Sequence, residues 1–454
     1  MAPTPESDEH TSGPDDGPGD VQRRAPFSDN PDVGARGQRT RQAILDAALV
    51  AFKGSGYHDT SIASIAGHAG CSRVSFYQYF SDKDDLLSHL GTQVAVQVEA
   101  STQAMGTVGA DRVGRDALRA WVVRHGEIYQ RYEPVFRALQ AATDGDDGLT
   151  EWTRRTRSRN AQRFRSHLEV DSLPPRRLDP LIDLLLATLT TTEDFASSLG
   201  EVVPGPYGSD QMAEVLTDVF HRALFGLVPG VNTAAANPPA PPCLPLAPAI
   251  AALTNSGARR SPTPMGQDTY DALLDAGERL LVARGYHAAR VDDIVEDAGL
   301  SHGAFYRYFE HKEQLANVVA FRAMQGVSQA FTEIPAAGLD RAPRGPDADD
   351  EQAELQAMRA WLRRYNEAYT AATAMIQVWI DANRRHPQLS GESAAILDWA
   401  RQRMCGFLGD RGFGDPEREA LVLVALLSTF GRHERDSAMV DTAARFVQRG
   451  FLGR

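Results

Sequence analysis

Apolar residues recur every three or four positions along most of the chain, which is the spacing of a helix with one buried face. One apolar stripe runs from Ile44 to Phe52 and ends at Gly54 and Gly56, where a helix C-terminus is expected. A second stripe runs from Leu273 to Leu281 and ends before Gly285. The sequence has no run of alternating β-branched residues bounded by turn residues. The pattern therefore predicts an all-α fold.

Two segments lack the apolar positions that a core requires. Residues 1–36 are rich in Pro, Asp and Gly, and we expect a disordered tail because so few large apolar residues cannot offset the entropy of ordering. Residues 229–265 are rich in Pro and Ala, and we expect a linker there. The linker divides the chain into two halves of nearly equal length.

The two halves repeat each other. At a shift of 229 positions, residues 286–315 share 12 identities with residues 57–86, and AGLSHGAFYRYF lies over AGCSRVSFYQYF. A further match, AMRAW against ALRAW, follows at a shift of 240 positions, because the second half carries a Pro- and Asp-rich insertion. A repeat this long indicates two tandem copies of a whole unit rather than a solenoid.

A pattern of two short helices occupies residues 60–79 and recurs at 289–308. A glycine lies where the chain must turn, and Ser72 can cap the second helix. Phe76 and Phe80 are four residues apart and can be buried together, which leaves the polar residues of this helix exposed. This is the pattern of a helix-turn-helix, whose second helix enters the major groove of DNA.

These motifs resemble the DNA-binding domain of the TetR (tetracycline-repressor-like) family, and the resemblance occurs twice, at residues 37–97 and 266–326. The second copy matches more closely, with GLSHGAFYRYF from Gly299 to Phe309 followed by Lys312 and Leu315. The resemblance implies a three-helix DNA reader in each half.

It also implies that each reader is followed by a helical regulatory domain, here residues 98–228 and 327–454, that binds a small molecule and forms dimers. The implied partners are a double-stranded DNA operator and a small-molecule effector of unknown identity, with no cofactor. Apolar helix pairs near the end of each half, residues 181–199 with 212–227 and 419–430 with 439–451, would build the four-helix interface of an intramolecular pseudo-dimer or a homodimer. Buried core within each half is the alternative.

We predict DNA contacts from both copies. Arg73 could read guanine, and His302 at the equivalent position reads bases less specifically, although either could contact a phosphate alone. Lys83 and Lys312 open the helix after each recognition helix and are predicted to contact phosphate, the alternative being a solvated helix start. The tyrosines of the recognition helices are predicted to donate to phosphates, unless one of each pair packs against the following helix. The predicted residues are Thr60, Ser72, Arg73, Ser75, Tyr77, Tyr79 and Lys83 in the first copy, and Arg290, Ser301, His302, Ala304, Tyr306, Tyr308 and Lys312 in the second.

Charge distinguishes the two copies. The whole chain has a net charge of −13, which argues against non-specific nucleic-acid binding through an overall basic surface. Residues 36–90 have six basic and five acidic residues (net +1), whereas residues 261–325 have six and ten (net −4). The second reader could therefore be weaker. Arginines 36, 39 and 41 could form an arm in a minor groove, or a solvated helix start.

Aromatic residues at helical spacing in the regulatory parts could line ligand pockets, although such residues are more often plain core. The candidates are Trp121, Tyr129 and Phe136 in the first half and Trp361, Tyr369 and Trp379 in the second.

Other classes of protein find little support. The three cysteines lie far apart, which argues against a disulfide framework or a zinc site, and we predict no metal. No nucleophile elbow or phosphate-binding glycine loop is present, so an enzyme is not expected. There is no signal peptide and no apolar run of ~20 residues, which predicts a cytoplasmic protein without a membrane span. The sequence favours a ligand-responsive transcriptional regulator, and family analogy favours a repressor. The alternative is a ligand- or partner-binding helical protein in which one or both readers no longer bind DNA.

Overall fold

A computed structural model describes residues 34–142, 147–170, 174–200, 208–233, 263–335, 348–383, 387–409, 413–431 and 437–453. Their regular structure is helical, apart from isolated bridge residues such as the pair Val108 and Leu168. The all-α prediction is therefore confirmed. Most of the predicted tail and linker lies outside the described residues.

The two halves have the same order of helices. The first contains α1 (Ala35–Asp59), α2 (Ile62–His68), α3 (Arg73–Tyr79), α4 (Lys83–Gln103), α5 (Arg112–Ala142), α6 (Asp147–Ser166), α7 (Pro175–Gly200) and α8 (Ser209–Phe225). The second contains α9 (Gln267–Ala288), α10 (Val291–Asp297), α11 (His302–Tyr308), α12 (Lys312–Thr332), α13 (Ala348–Asn383), α14 (Pro387–Leu408), α15 (Pro416–Gly431) and α16 (Ser437–Phe446), followed by a π-helical turn at Val447–Phe451.

Each reader is a small helical domain with its own core. The side chain of Ser72 accepts a hydrogen bond from the Ser75 amide (3.1 Å), which confirms the predicted cap of α3. Gly70 has a φ of 65°, a conformation that favours glycine, where the chain turns between α2 and α3. Phe76 and Phe80 are buried together, with ring centroids 5.7 Å apart. The same arrangement recurs around α11 in the second half.

The regulatory parts of the two halves share one core. α7 packs against α15, and the Thr191 hydroxyl lies 3.1 Å from that of Thr429 across this contact. The two helices match in sequence at a shift of 238 positions, where LLATLTTTE lies over LVALLSTFG. The helix pairs at the ends of the two halves therefore pack against each other within one chain.

A buried ion pair joins the halves. The Arg222 guanidinium on α8 donates to Glu419 Oε1 on α15 at 2.7 Å, and both side chains are almost completely buried. The same guanidinium donates to the carbonyl of Gly450 (2.7 Å) and to that of Asn232 (3.1 Å). Removing one partner of such an ion pair leaves a buried charge uncompensated. The ion pair therefore favours the observed packing of the two halves against each other.

Candidate DNA-binding and ligand sites

The recognition helix of the first reader, α3, exposes Arg73 and Tyr77 on the side away from its core. Tyr77 is 37% exposed, whereas Tyr79 is only 7% exposed. Helical spacing places Arg73 and Tyr77 four residues apart on one face, where both can reach the same groove. They form the candidate DNA-contacting face of this reader.

The recognition helix of the second reader, α11, exposes the equivalent residues His302 and Tyr306, with Tyr306 49% exposed. Nε2 of His302 lies 3.5 Å from Oδ1 of Asp292 on α10. A carboxylate beside the base-reading position repels DNA phosphates, so this face is less favourable for DNA than that of the first reader.

The inner tyrosine of each pair is buried in its reader. Tyr79 and Tyr308 are only 7% and 3% exposed and pack in the cores of their readers. The Tyr308 hydroxyl donates to the carbonyl of Gly266 at 3.1 Å. Packing against the domain core, the alternative, is observed for both residues, and their phosphate contacts stay a prediction.

The lysines that open α4 and α12 also have a structural role. Nζ of Lys83 donates to the carbonyls of Tyr57 (2.7 Å) and Thr60 (3.2 Å), and it lies 4.3 Å from the centroid of the Tyr57 ring. Nζ of Lys312 contacts the equivalent groups, with Ala289 O at 2.7 Å. Burial lowers the pKa of both amines. Each ammonium thus binds carbonyls at the C-terminus of the first helix of its reader, and the predicted phosphate contact stays a prediction.

Thr60 also forms hydrogen bonds within its reader. Its hydroxyl is buried and donates to the carbonyls of Gly56 (2.6 Å) and Ala51 (3.2 Å), which favours a structural role, and its DNA contact stays a prediction. The cap of α2 is Ser61, whose side chain accepts a hydrogen bond from the Ser64 amide (3.1 Å).

The remaining predicted residues lie at the start of the motif helices. Ser301 accepts a hydrogen bond from the Ala304 amide (3.4 Å) as the cap of α11. Arg290 is exposed at the N-terminus of α10. Ser75 and Ala304 are half-buried at equivalent positions of the two recognition helices. These positions are compatible with DNA contact, and that contact stays a prediction.

A basic concave surface lies beside the first recognition helix. It has a volume of about 540 Å³, and Arg36, Arg39 and Ser72 are among the residues that line it. Both arginines belong to the first turns of α1, so they form part of a folded surface rather than the extended arm considered from the sequence. At the shift of 229 positions, the second reader has Met265 and Asp268 in their places. The surface therefore offers phosphate-binding cations in the first reader alone.

The aromatic residues proposed for ligand pockets are mostly core. Trp121 donates to the Thr102 hydroxyl (3.1 Å), and Trp361 donates to the Ala330 carbonyl (2.8 Å), each at a buried position. Tyr369 is buried, with its hydroxyl 3.1 Å from that of Ser428. The side chain of Trp379 lies outside the described residues.

Tyr129 differs because it lines a cavity of about 140 Å³ between α5, α7 and α8 of the first half. Its hydroxyl donates to Asp194 Oδ1 (2.9 Å), and its ring lies 5.1 Å from that of half-buried Phe136. Glu133 and Glu193 also line this cavity. Neither glutamate is predictable as a cavity residue from the sequence, because an isolated acidic residue in a helix usually faces solvent.

Within the described residues, no group of three or more His, Cys, Asp or Glu side chains is arranged to hold a metal ion. In the same part of the chain, no helix is both long enough and apolar enough to cross a membrane.

Comparison with known proteins identifies the readers. The model of the tetR family of bacterial regulatory proteins matches the chain twice, at residues 44–90 and 273–319. The chain is similar to the HTH-type transcriptional regulator EthR of Mycolicibacterium smegmatis, with 37% identity over 17% of this chain and 38% of the relative. It is also similar to the regulator BetI of Serratia proteamaculans, with 41% identity over 20% of this chain and 55% of the relative.

A longer match is to an uncharacterised HTH-type transcriptional regulator of Mycobacterium tuberculosis, with 29% identity over 39% of this chain and 82% of the relative. The chain spans only about 38% and 55% of the lengths of the first two relatives. The matched regions include helix-turn-helix domains that the structure contains twice. Both readers therefore match the model of the tetR family of bacterial regulatory proteins, and the chain carries this matching domain in two tandem copies.

Proposed function

We propose that this protein is a sequence-specific DNA-binding transcriptional regulator in which one chain supplies both readers. The observation that carries the proposal is the shared core of the two regulatory parts, closed by the buried pair of Arg222 and Glu419. Pairing of this kind would hold two recognition helices in a fixed relation, as recognition of half-sites about 34–36 Å apart requires.

The operator would be an imperfect palindrome. Arg73 and His302 occupy equivalent positions but offer different chemistry, since a guanidinium can bond guanine O6 and N7 together while an imidazole cannot. We therefore expect the two half-sites to differ at the base pairs that these residues face.

We further propose that the protein is a repressor released by a small molecule, acting in the cytoplasm where bacterial DNA lies. Helix α5 supports a coupling between ligand binding and DNA binding, because it contributes both to the cavity of the first half and to the core of the first reader. Its Tyr129 and Glu133 line the cavity, whereas Ile128 and Tyr132 pack in the core of the first reader. A ligand that binds one arrangement of α5 better than another would shift the population of reader positions.

The test is to select bound DNA fragments with the full-length chain and then measure the mass of the complex by light scattering. We expect one chain per duplex and a footprint with two unequal half-sites. Two chains per duplex would contradict the proposal that one chain supplies both readers. Arg73→Ala should relax sequence preference in one half-site by about 1–3 kcal/mol, and His302→Ala should do so in the other by less.

A second candidate function is favoured by the electrostatics of the second reader. Asp268 replaces an arginine of the basic surface, and Asp292 lies beside His302. In this alternative the second reader no longer binds DNA and serves as a folded partner for the first half. A footprint of one half-site, together with no effect of His302→Ala or Tyr306→Phe, would select this alternative.

A further inference from the structure

The cavity of the first half has the size of a small-molecule site. Its volume of about 140 Å³ is close to that of an engineered cavity of roughly 150 Å³ that binds benzene. The lining residues come from three helices: Tyr129 from α5, Glu193 and Ala196 from α7, and Met212 from α8. A single ring with one short polar substituent fits this space.

Glu193 places a buried carboxyl group in the wall of this cavity. Its side chain is 8% exposed, and within the described residues its carboxyl group has no hydrogen-bond or ion-pair partner. The carboxyl lies against Gly126, where a Cβ atom would come within 3.2 Å of Oε1. Burial of an unpartnered carboxyl group is costly, and it raises the pKa of Glu193 to about 7. In the described part of the chain, the carboxyl group of Glu193 therefore faces the cavity without a hydrogen-bond donor or a positive charge beside it.

The neighbouring charges do not supply that donor. Arg137 pairs with Glu133 (2.9 Å) and with Asp194 (2.8 Å), so one guanidinium already serves two carboxylates. Tyr129 donates to Asp194 and not to Glu193. Ser197 donates to Glu133 (3.1 Å), so Arg137, Tyr129 and Ser197 all serve acceptors other than Glu193, and the ring of Tyr129 provides a face that attracts a cation.

We infer that this cavity binds one small ammonium-bearing molecule, of about the size of a substituted benzene ring, with its ammonium group on Glu193. The inference deepens the proposed function, because it rests on the proposal that a small molecule controls DNA binding and names the class of that molecule.

The second half cannot form the same site. At the shift of 238 positions, Gly431 stands where the first half has Glu193. A Cβ atom at Gly431 would come within 2.4 Å of the Tyr369 ring, so this ring fills the space that the Glu193 side chain uses in the first half. We therefore expect one ligand per chain, bound in the first half.

The cavity is also connected to the first reader through α5. α5 departs from helical geometry at Tyr132 (φ −115°, ψ 16°), two residues before Pro134. Proline inside a helix removes a backbone hydrogen bond and permits a kink. The kink lies beside Glu133 of the cavity, and Tyr132 itself packs in the core of the first reader.

The inference predicts how binding depends on pH. A cation binds the ionised form of Glu193, so its affinity should rise by about tenfold between pH 6 and pH 8. Burial lowers the pKa of His125 to about 4 and raises that of Tyr129, so neither side chain changes its charge over that range. The carboxylates of Glu133 and Asp194 are paired with Arg137.

The test is calorimetric titration of the full-length chain with benzylamine and with benzyl alcohol, its neutral analogue of similar shape. We expect one benzylamine site per chain and at least about tenfold weaker binding of benzyl alcohol, since a charged hydrogen bond is lost. Glu193→Gln should remove this preference and the pH dependence. The control is Glu127→Gln on the exposed face of α5, where the glutamate pairs with Arg124 (2.8 Å), and it should change neither.

Equal binding of the two compounds, an unchanged preference in Glu193→Gln, or two sites per chain would each overturn the inference. Glutamine has nearly the same shape and no buried charge, so the variant is expected to fold. The titration uses no DNA, so its outcome is independent of DNA binding. Benzylamine binding without any operator affinity would refute the proposed regulator and support the site.

Discussion

Replacing Glu419 with glutamine is expected to lower the free energy of unfolding by about 3–5 kcal/mol. The guanidinium of Arg222 is buried and has three acceptors, namely Glu419 Oε1 and the carbonyls of Gly450 and Asn232, at 2.7, 2.7 and 3.1 Å. The variant keeps both carbonyls and nearly the same shape, but it removes the carboxylate that balances the cation. A buried charge left without its counter-ion accounts for the size of the loss.

The assay is urea denaturation of the full-length chain, followed by far-ultraviolet circular dichroism. The matched control is Asp297→Asn, which breaks an exposed pair with Arg279 (2.7 Å) and should cost less than about 1 kcal/mol. Arg222→Met should resemble Glu419→Gln. The double variant Arg222→Met, Glu419→Leu should recover most of the loss, because removing both charges also removes the need to compensate them.

Two results would refute this reasoning. A cost for Glu419→Gln no larger than that of Asp297→Asn would mean that the pair does not hold the halves together. A double variant as unstable as the sum of the two single variants would mean that the charges act separately, with no coupling between them.

Three further predictions concern the readers and the cavity. Tyr77→Phe should weaken operator binding by about two- to tenfold, since one hydroxyl donor to a phosphate is lost; the buried Tyr79→Phe is its control, and an equal loss there would contradict the assignment. Lys83→Met should lower the free energy of unfolding by about 1.5–3 kcal/mol, because two carbonyls lose a charged donor. The slope of log operator affinity against log salt concentration should stay the same. A decrease of about one unit in that slope would instead support a contact between Lys83 and a phosphate. For Glu193, burial raises the pKa from 4.5 to about 7, so its folded form favours the neutral acid. The free energy of unfolding of the wild type should therefore fall by about 3 kcal/mol between pH 4.5 and pH 7 relative to that of Glu193→Gln, and should level off above pH 7. A constant difference between the two thermal denaturation midpoints across this range would show that Glu193 does not have a raised pKa.

Local sequence predicted the readers well because their signals are local. The cap at Ser72, the turn at Gly70 and the burial of Phe76 each depend on residues within one or two helical turns. The repeat then extended the same interpretation to the second half. The family model confirmed both copies.

The functional side chains were harder to predict, because their partners lie far away in sequence. Lys83 binds the carbonyl of Tyr57, 26 positions earlier, and a sequence pattern does not tell this contact from one to a phosphate. Tyr77 and Tyr79 look alike in sequence, and only the packing of α3 on its domain decides which of them is exposed. Glu193 was missed because its burial arises from α5 and α8, which meet α7 only in the folded chain.

The shared core of the two halves has a consequence for the amount of protein that a cell needs. Two separate subunits must meet before they can bind a palindrome, so their occupancy of DNA depends on the square of concentration when they are dilute. Here both faces of the interface belong to one polypeptide, and the pairing of α7 with α15 is a first-order step. Occupancy should then follow the first power of chain concentration with a Hill coefficient of one, so that a few copies per cell would suffice and fluctuations in copy number would not be amplified.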